Sequence, residues 1–160
     1  MAKTARKAAH RNLENVLFVQ AAVEKLPPEL ARLASRITIN YPWGSLLRAV
    51  AVPDTEVLSA IAALGRAGAA LTMLVNMSVF DQPAYCARLG LPCPPVLDDP
   101  EKTRWFFRRA GLEVTRIVPD VKEAPYKTTW GQKLTKGSRR RVLRLDAVVG
   151  SRSLTPACAP

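Results

Sequence analysis

Apolar positions along the chain fall in short runs separated by proline, glycine and acidic breaks, and each run has either strand length or helical spacing. Residues 16–22 (VLFVQAA) form a β-branched run of strand length, closed by Pro27 and Pro28, where Pro28-Glu29-Leu30 opens a short helix. Ile37 to Asn40, preceded by Arg36, reads as a second strand. Ser45 to Val52 gives a turn or two of helix that Pro53 breaks. Asp54 then caps a longer amphipathic helix through Leu64, which Gly65 and Gly68 stop. Residues 69–77 (AALTMLVNM) make a buried strand, and a helix follows Asp81 to about Leu89. Pro92, Pro94 and Pro95 form a loop. Asp98-Asp99-Pro100 caps a helix carrying Trp105-Phe106-Phe107 and stopped at Gly111. Residues 112–121 read as a strand, 127–134 (KTTWGQKL) as a loop or short helix, and 139–149 (RRRVLRLDAVV) as a final strand. Strands alternate with helices until the last two strands, which is the pattern of the latter part of a doubly wound α/β sheet.

A chain of 160 residues suits one domain with a single core. No apolar run approaches the ~18–20 residues of a bilayer helix, and the Lys/Arg-rich N-terminus lacks the apolar stretch of a signal peptide, so a cytoplasmic protein without a membrane partner is expected. Cys86, Cys93 and Cys158 form no CxxC and lie far from His10, the one histidine. Neither a metal centre, a disulfide scaffold nor nucleophilic Cys/His or Ser/His/Asp chemistry is written in that pattern.

Charge changes the picture more. Twenty-four Lys+Arg against thirteen Asp+Glu leave a net +11, which favours a polyanionic partner because each neutralised phosphate releases counterions. An alanine- and arginine-rich composition alone would raise the charge too, so its distribution matters. Residues 2–12 set Lys3, Arg6, Lys7 and His10 on one helix face, either a phosphate contact or a solvated surface. The run Arg139-Arg140-Arg141 is likewise a phosphate cluster or a charged strand edge.

Asn40-Tyr41-Pro42-Trp43 stands at the carboxyl end of a strand, where open α/β sheets bind ligands. A tryptophan there either folds back over the strand end or offers a platform to a flat ligand, and bases are the flat ligands a basic protein meets. Trp130, on a polar loop just before the basic cluster, could complete a clamp. Trp105, inside an aromatic helix, reads as core.

The segments NVLFVQAAVEKLPPEL, ITINYPWGSLLRAV and TTWGQKLTKGSRRR resemble the aminoglycoside-resistance methyltransferases of the kanamycin-apramycin type, which act at N1 of a decoding-site adenine in small-subunit rRNA. The resemblance runs from about residue 3 to 149. It implies a class I S-adenosylmethionine-dependent, Rossmann-like methyltransferase fold, S-adenosylmethionine as cofactor, 16S rRNA in the 30S subunit as partner, no metal, and a monomer. By that resemblance Trp43 and Trp130 would sandwich the flipped adenine, while Val23, Glu24, Asn40, Ser45 and Thr128 would line the cofactor pocket. Lys3, Arg6, Lys7, Lys133 and Arg140 would hold rRNA phosphates, with Arg139 and Arg141 beside them. Lys133 stands where the family often has arginine, and Ser138 where it has a basic residue. Adenine N1 carries an in-plane lone pair, so no general base is needed; extrusion, stacking and alignment would supply the catalysis.

A complete domain of this kind opens with a strand, a glycine-rich turn and a second strand ending in an acidic residue. No G-x-G occurs here, and in the strand order 3-2-1-4-5-7-6 the chain would begin at the helix after strand 2. The expectation is therefore an N-terminally truncated Rossmann-like domain over residues 1–150 with a flexible tail at 151–160. It would be a fragment of a longer enzyme or one half of a two-chain assembly, and alone would bind S-adenosylmethionine weakly or not at all, which leaves the activity of this chain by itself open. A non-catalytic basic RNA-binding module is the alternative function, and a small-molecule or protein-interaction domain the third.

Overall fold

The computed structural model describes His10, residues 15–121 and residues 140–151. Among these the elements run β1 (Ala34–Asn40), α1 (Gly44–Ala51), α2 (Thr55–Leu64), β2 (Gly65–Asn76), α3 (Pro83–Leu89), α4 (Pro100–Arg109), β3 (Leu112–Val118) and β4 (Val142–Val149). Short 3-10 turns lie at Val23–Lys25, Pro28–Leu30, Met77–Val79 and Val96–Asp98.

Local chemistry sets the helix ends. Asp54 accepts hydrogen bonds from the amides of Glu56 and Val57 at the start of α2, and Asp99 accepts from Lys102 N at the start of α4, where Pro100 fits the first turn. Gly90 ends α3 in the left-handed conformation, φ +59°.

The strands form one sheet in the order β1-β2-β4-β3. β1 and β2 are parallel, joined by the α1–α2 crossover, and β4 inserts antiparallel between β2 and β3. This is the 4-5-7-6 portion of the order anticipated from the sequence. Leu71, Met73 and Val75 of β2 pair with Ala147, Leu145 and Leu143 of β4, and all six are buried in one cluster with Val50 of α1, Leu58 and Ile61 of α2, and Phe107 of α4. Each fully buried side chain of this size contributes ~1.5–3 kcal/mol relative to exposure. The alternate face is polar: Thr72 Oγ1 and Arg144 Nε both bond to Asp146, and a smaller cluster of Tyr41, Leu74 and Val142 closes its end.

Four expectations need correction. Residues 16–22 are not a strand: Val16, Leu17, Phe18 and Val19 are exposed. Among the described residues β1 bonds only to β2, so the segment has no ladder to join, and an extended run without one keeps its amides for water. Trp105 is 53% exposed rather than core. Thr103, Phe107 and Ala110 take the buried stripe of α4, and a residue two positions from Thr103 points about 200° away from it. Its indole is instead covered by the Arg109 guanidinium at 4.8 Å and meets Phe106 edge-on. β2 begins at Gly65, not residue 69. A Cβ at Gly65 would lie 2.8 Å from Val149 Cγ2, so glycine lets α2 run straight into the sheet against β4. β4 starts at Val142, after the arginine run rather than within it.

Candidate nucleic-acid and cofactor site

At the carboxyl end of β1 the chain reverses. Tyr41 adopts φ +52°, a conformation that costs a non-glycine residue free energy, and its amide bonds to Leu74 O at 2.8 Å while its ring is buried against Leu74 and Val142. Pro42 is buried after it, and the following side chain, Trp43, faces outward. Trp43, immediately before α1, is 57% exposed, and its indole rests on the Tyr85 ring of α3, with centroids 4.8 Å apart and planes 36° from parallel. On Tyr85 in turn lies the Arg88 guanidinium, 5.2 Å from the ring centroid.

Of the positions anticipated for the cofactor, Glu24 and Ser45 line one cleft of about 320 Å³, together with Arg48, Val52, Asp54 and Val57. Val23, in the same 3-10 turn as Glu24, is partly buried against the core. Asn40 is half-buried, and its Oδ1 has no hydrogen-bond partner. An amide oxygen only accepts, so it suits a donor such as the ammonium group of S-adenosylmethionine; Asn40 is not among the residues lining the cleft, where the acidic Glu24 and Asp54 suit a positive charge. These residues fit that group.

The basic residues differ in their surroundings. The Arg141 guanidinium is held by Asp98 at 2.8 Å, which raises its pKa further, and the Arg141 amide bonds to Ser78 Oγ at 3.0 Å. Arg141 thereby fastens the start of β4 to the turns after β2 and before α4. Arg140 has no such tie, and its Nε is buried without a partner. Trp130, Thr128, Lys3, Arg6, Lys7, Lys133 and Arg139 lie outside the described residues. The two ends of the intervening stretch are nevertheless fixed: Val121 N bonds to Val142 O at 2.8 Å, and Val121 and Val142 both pack in the cluster with Tyr41. Val121 and Val142 thus both stand beside Tyr41, which opens the Trp43 loop.

The buried side-chain nitrogen and oxygen atoms without partners among the described residues are Asn40 Oδ1, Tyr85 Oη and Arg140 Nε. Asn40 precedes this loop and Tyr85 touches Trp43, while Arg140 stands two residues before Val142 of the Tyr41 cluster. Buried polar atoms are nearly always paired, so this concentration marks a place shaped by something other than the chain's own stability. Sequence reading missed Tyr85 and Asp98, whose partners are distant in sequence and leave no local signal.

Residues 1–149 match the family model described as "NpmA: 16S rRNA (adenine(1408)-N(1))-methyltransferase". A 16S rRNA (adenine(1408)-N(1))-methyltransferase from Escherichia coli is 30% identical over 156 residues, spanning 92% of this chain and 68% of the relative. Among solved structures, the aminoglycoside resistance methyltransferase NpmB1 is 39% identical with a TM-score of 0.66, covering 83% of this chain and 60% of that one. A variant of the corresponding enzyme from Catenulisporales acidiphilia, with cosubstrate SAM, is 27% identical with a TM-score of 0.75 over 96% of this chain and 72% of that one. The chain thus spans roughly two thirds of the length of the proteins it matches.

Proposed function

Since this chain belongs to the family of 16S rRNA (adenine(1408)-N(1))-methyltransferases, we propose that it serves transfer of a methyl group from S-adenosylmethionine to N1 of that adenine, conferring aminoglycoside resistance. The observation that carries the reading is the outward-facing indole of Trp43 at the carboxyl end of β1, resting on Tyr85, whose buried hydroxyl has no partner, three residues after Asn40, whose Oδ1 has none either.

Trp43 offers one face to the extruded adenine while its other face rests on Tyr85. Trp130 supplies the opposite wall, a role supported by the family match over residues 1–149 and by the packing of Val121 and Val142 against Tyr41. Stacking between two rings fixes the base plane and directs the N1 lone pair, which needs no prior deprotonation. S-adenosylmethionine, when bound, supplies a methyl group activated by its sulfonium. Val23, Glu24, Asn40, Ser45 and Thr128 hold it; Asn40 accepts a hydrogen bond once its half-exposed amide turns outward. Lys3, Arg6, Lys7, Lys133, Arg139 and Arg140 contact phosphates of the rRNA in the 30S subunit, and Arg141, engaged by Asp98, braces them. Such contacts set register and salt dependence. Residues 1–150 act as one Rossmann-like unit followed by a tail at 151–160, monomeric and cytoplasmic, with no metal in the reaction.

The test is methyl transfer from labelled S-adenosylmethionine to purified 30S subunits, mapped by primer extension. A stop at the decoding-site adenine is expected from the chain or from a longer enzyme that contains it. Salt-dependent rRNA binding with no stop, at any cofactor concentration, would replace the reading with that of an RNA-binding module.

A further inference from the structure

We infer that Tyr85 is a positioning residue that holds the Trp43 indole in the plane needed to stack a flat ligand. The inference deepens the reading above and rests on it for the identity of that ligand.

An indole on a surface loop, 57% exposed, turns about two side-chain bonds unless something holds one of its faces. Trp43 makes no capping hydrogen bond to α1 that would fix it. Tyr85 lies against it at 4.8 Å, and that ring is itself held from a further side by the Arg88 guanidinium at 5.2 Å. The support beneath is rigid. Cys86, next in the chain, is fully buried, and its thiol approaches Val79 O at 3.7 Å and Phe80 O at 3.8 Å. Pro83 and the left-handed Gly90 close α3 at both ends.

The Tyr85 hydroxyl distinguishes this contact from ordinary packing. It is buried with no partner, although buried tyrosines usually find one. The ring sits where the indole and the guanidinium place it, at the expense of its own hydroxyl. The flat ring, not the hydroxyl, is what the site uses. Ordering the indole before the ligand arrives removes part of the entropy cost of stacking and fixes the angle at which a base is presented.

Time-resolved fluorescence of the full chain carrying W105F and W130F reads Trp43 alone. With Tyr85 in place an ordered indole is expected, with slow anisotropy decay; rapid free rotation in that chain overturns the inference without any substitution at Tyr85. Y85L keeps apolar volume but removes the flat ring, and should release fast indole motion; Y85F should not. In chains retaining all three tryptophans, Y85L should lower kcat about three- to tenfold while KM for 30S subunits stays within about twofold. Y85F should restore both parameters. Unchanged anisotropy in Y85L, unchanged kcat beside increased indole motion, or a Y85F defect equal to that of Y85L would each overturn it. Absence of methyl transfer in the unsubstituted chain would refute the methyltransferase reading instead, and the anisotropy of the Tyr85 variants would still decide whether Tyr85 orders Trp43.

Discussion

Asn40→Leu should have effects of opposite sign on stability and on cofactor binding. Asn40 ends β1, half-buried, with an Oδ1 that finds no partner. Leaving a buried acceptor unpaired costs ~1–3 kcal/mol, and half-burial puts this site near the lower end, about 1 kcal/mol. Leucine is close to asparagine in shape and brings no unpaired atom, so the free chain should gain about 1 kcal/mol, or ~2–4 °C in Tm for a chain of this size. If Oδ1 accepts a hydrogen bond from S-adenosylmethionine, the same change removes a ligand contact and should weaken binding about tenfold. A ligand at 100 times its Kd stabilises by ~2.7 kcal/mol, and a tenfold weaker one at the same concentration by about 1.4 kcal/mol less. Thermal unfolding with and without a fixed excess of S-adenosylmethionine reads both terms in one experiment: the ligand-free Tm rises and the ligand-induced shift shrinks. A lower ligand-free Tm would show that Oδ1 is satisfied within the chain. An undiminished ligand shift would show that Asn40 does not touch the cofactor.

Trp43→Ala should leave Tm within about 2 °C of the unsubstituted chain, because the side chain is mostly exposed, yet lower methyl transfer to 30S subunits about 5- to 150-fold, the equivalent of ~1–3 kcal/mol of base stacking; unchanged turnover would refute the platform. Burial first, and the neighbouring Cys93 thiol second, push the Cys86 thiol from 9.0 up to about 11. A raised pKa favours the neutral form in the folded chain, so this stabilisation is present below pH 9 and lost as pH rises to 11. Cys86→Ala should flatten that part of a Tm–pH profile, and a profile of unchanged slope would refute the assignment. Arg140→Ala should reduce the slope of log K for rRNA binding against log salt by about 0.7–0.9, whereas Arg141→Ala should act on stability, by less than ~1 kcal/mol, since its partner Asp98 is about one-third exposed. Equal salt slopes for the two variants would show that the Asp98 pair does not withhold Arg141 from phosphate.

Helix boundaries were legible because their causes are local. Asp54 and Asp99-Pro100 act within one turn, and the structure uses both as caps. Residues 16–22 have strand composition, but a strand is a pairing, and composition does not reveal whether a neighbour exists. The phase of α4 was obscured by Thr103, a polar residue at a fully buried position whose Oγ1 bonds to Val96 O at 3.0 Å. Without that hydroxyl counted as interior, the aromatic triplet suggests a stripe centred on Trp105 rather than Phe107. Within the site, Trp43 was legible from Pro42 and Gly44 at a strand end, while Tyr85 stands on an unrelated helix. Arg140 and Arg141 are indistinguishable as sequence; Asp98 separates them in space.

The distribution of strain strengthens the functional reading more than any single contact does. Among the described residues two non-glycine residues have positive φ, Arg32 at +59° and Tyr41 at +52°. Arg32 sits before β1, at the opposite end of the sheet, and its amide is paired with Ala63 O at 2.8 Å; no orphaned side-chain atom accompanies it. Tyr41 stands between an unpaired Asn40 oxygen and an exposed tryptophan, and Arg140, with its unpaired nitrogen, precedes Val142 of its cluster by two residues. A fold selected for stability alone would dissipate such costs, since each correction, such as leucine at Asn40, is a single substitution. Their presence towards the carboxyl end of the parallel pair supports the proposal that this end is completed by a bound partner. The chemistry left open there is an acceptor, a guanidinium nitrogen and one aromatic face. Those are the groups that a cationic cofactor, a phosphate and a purine would take up in turn.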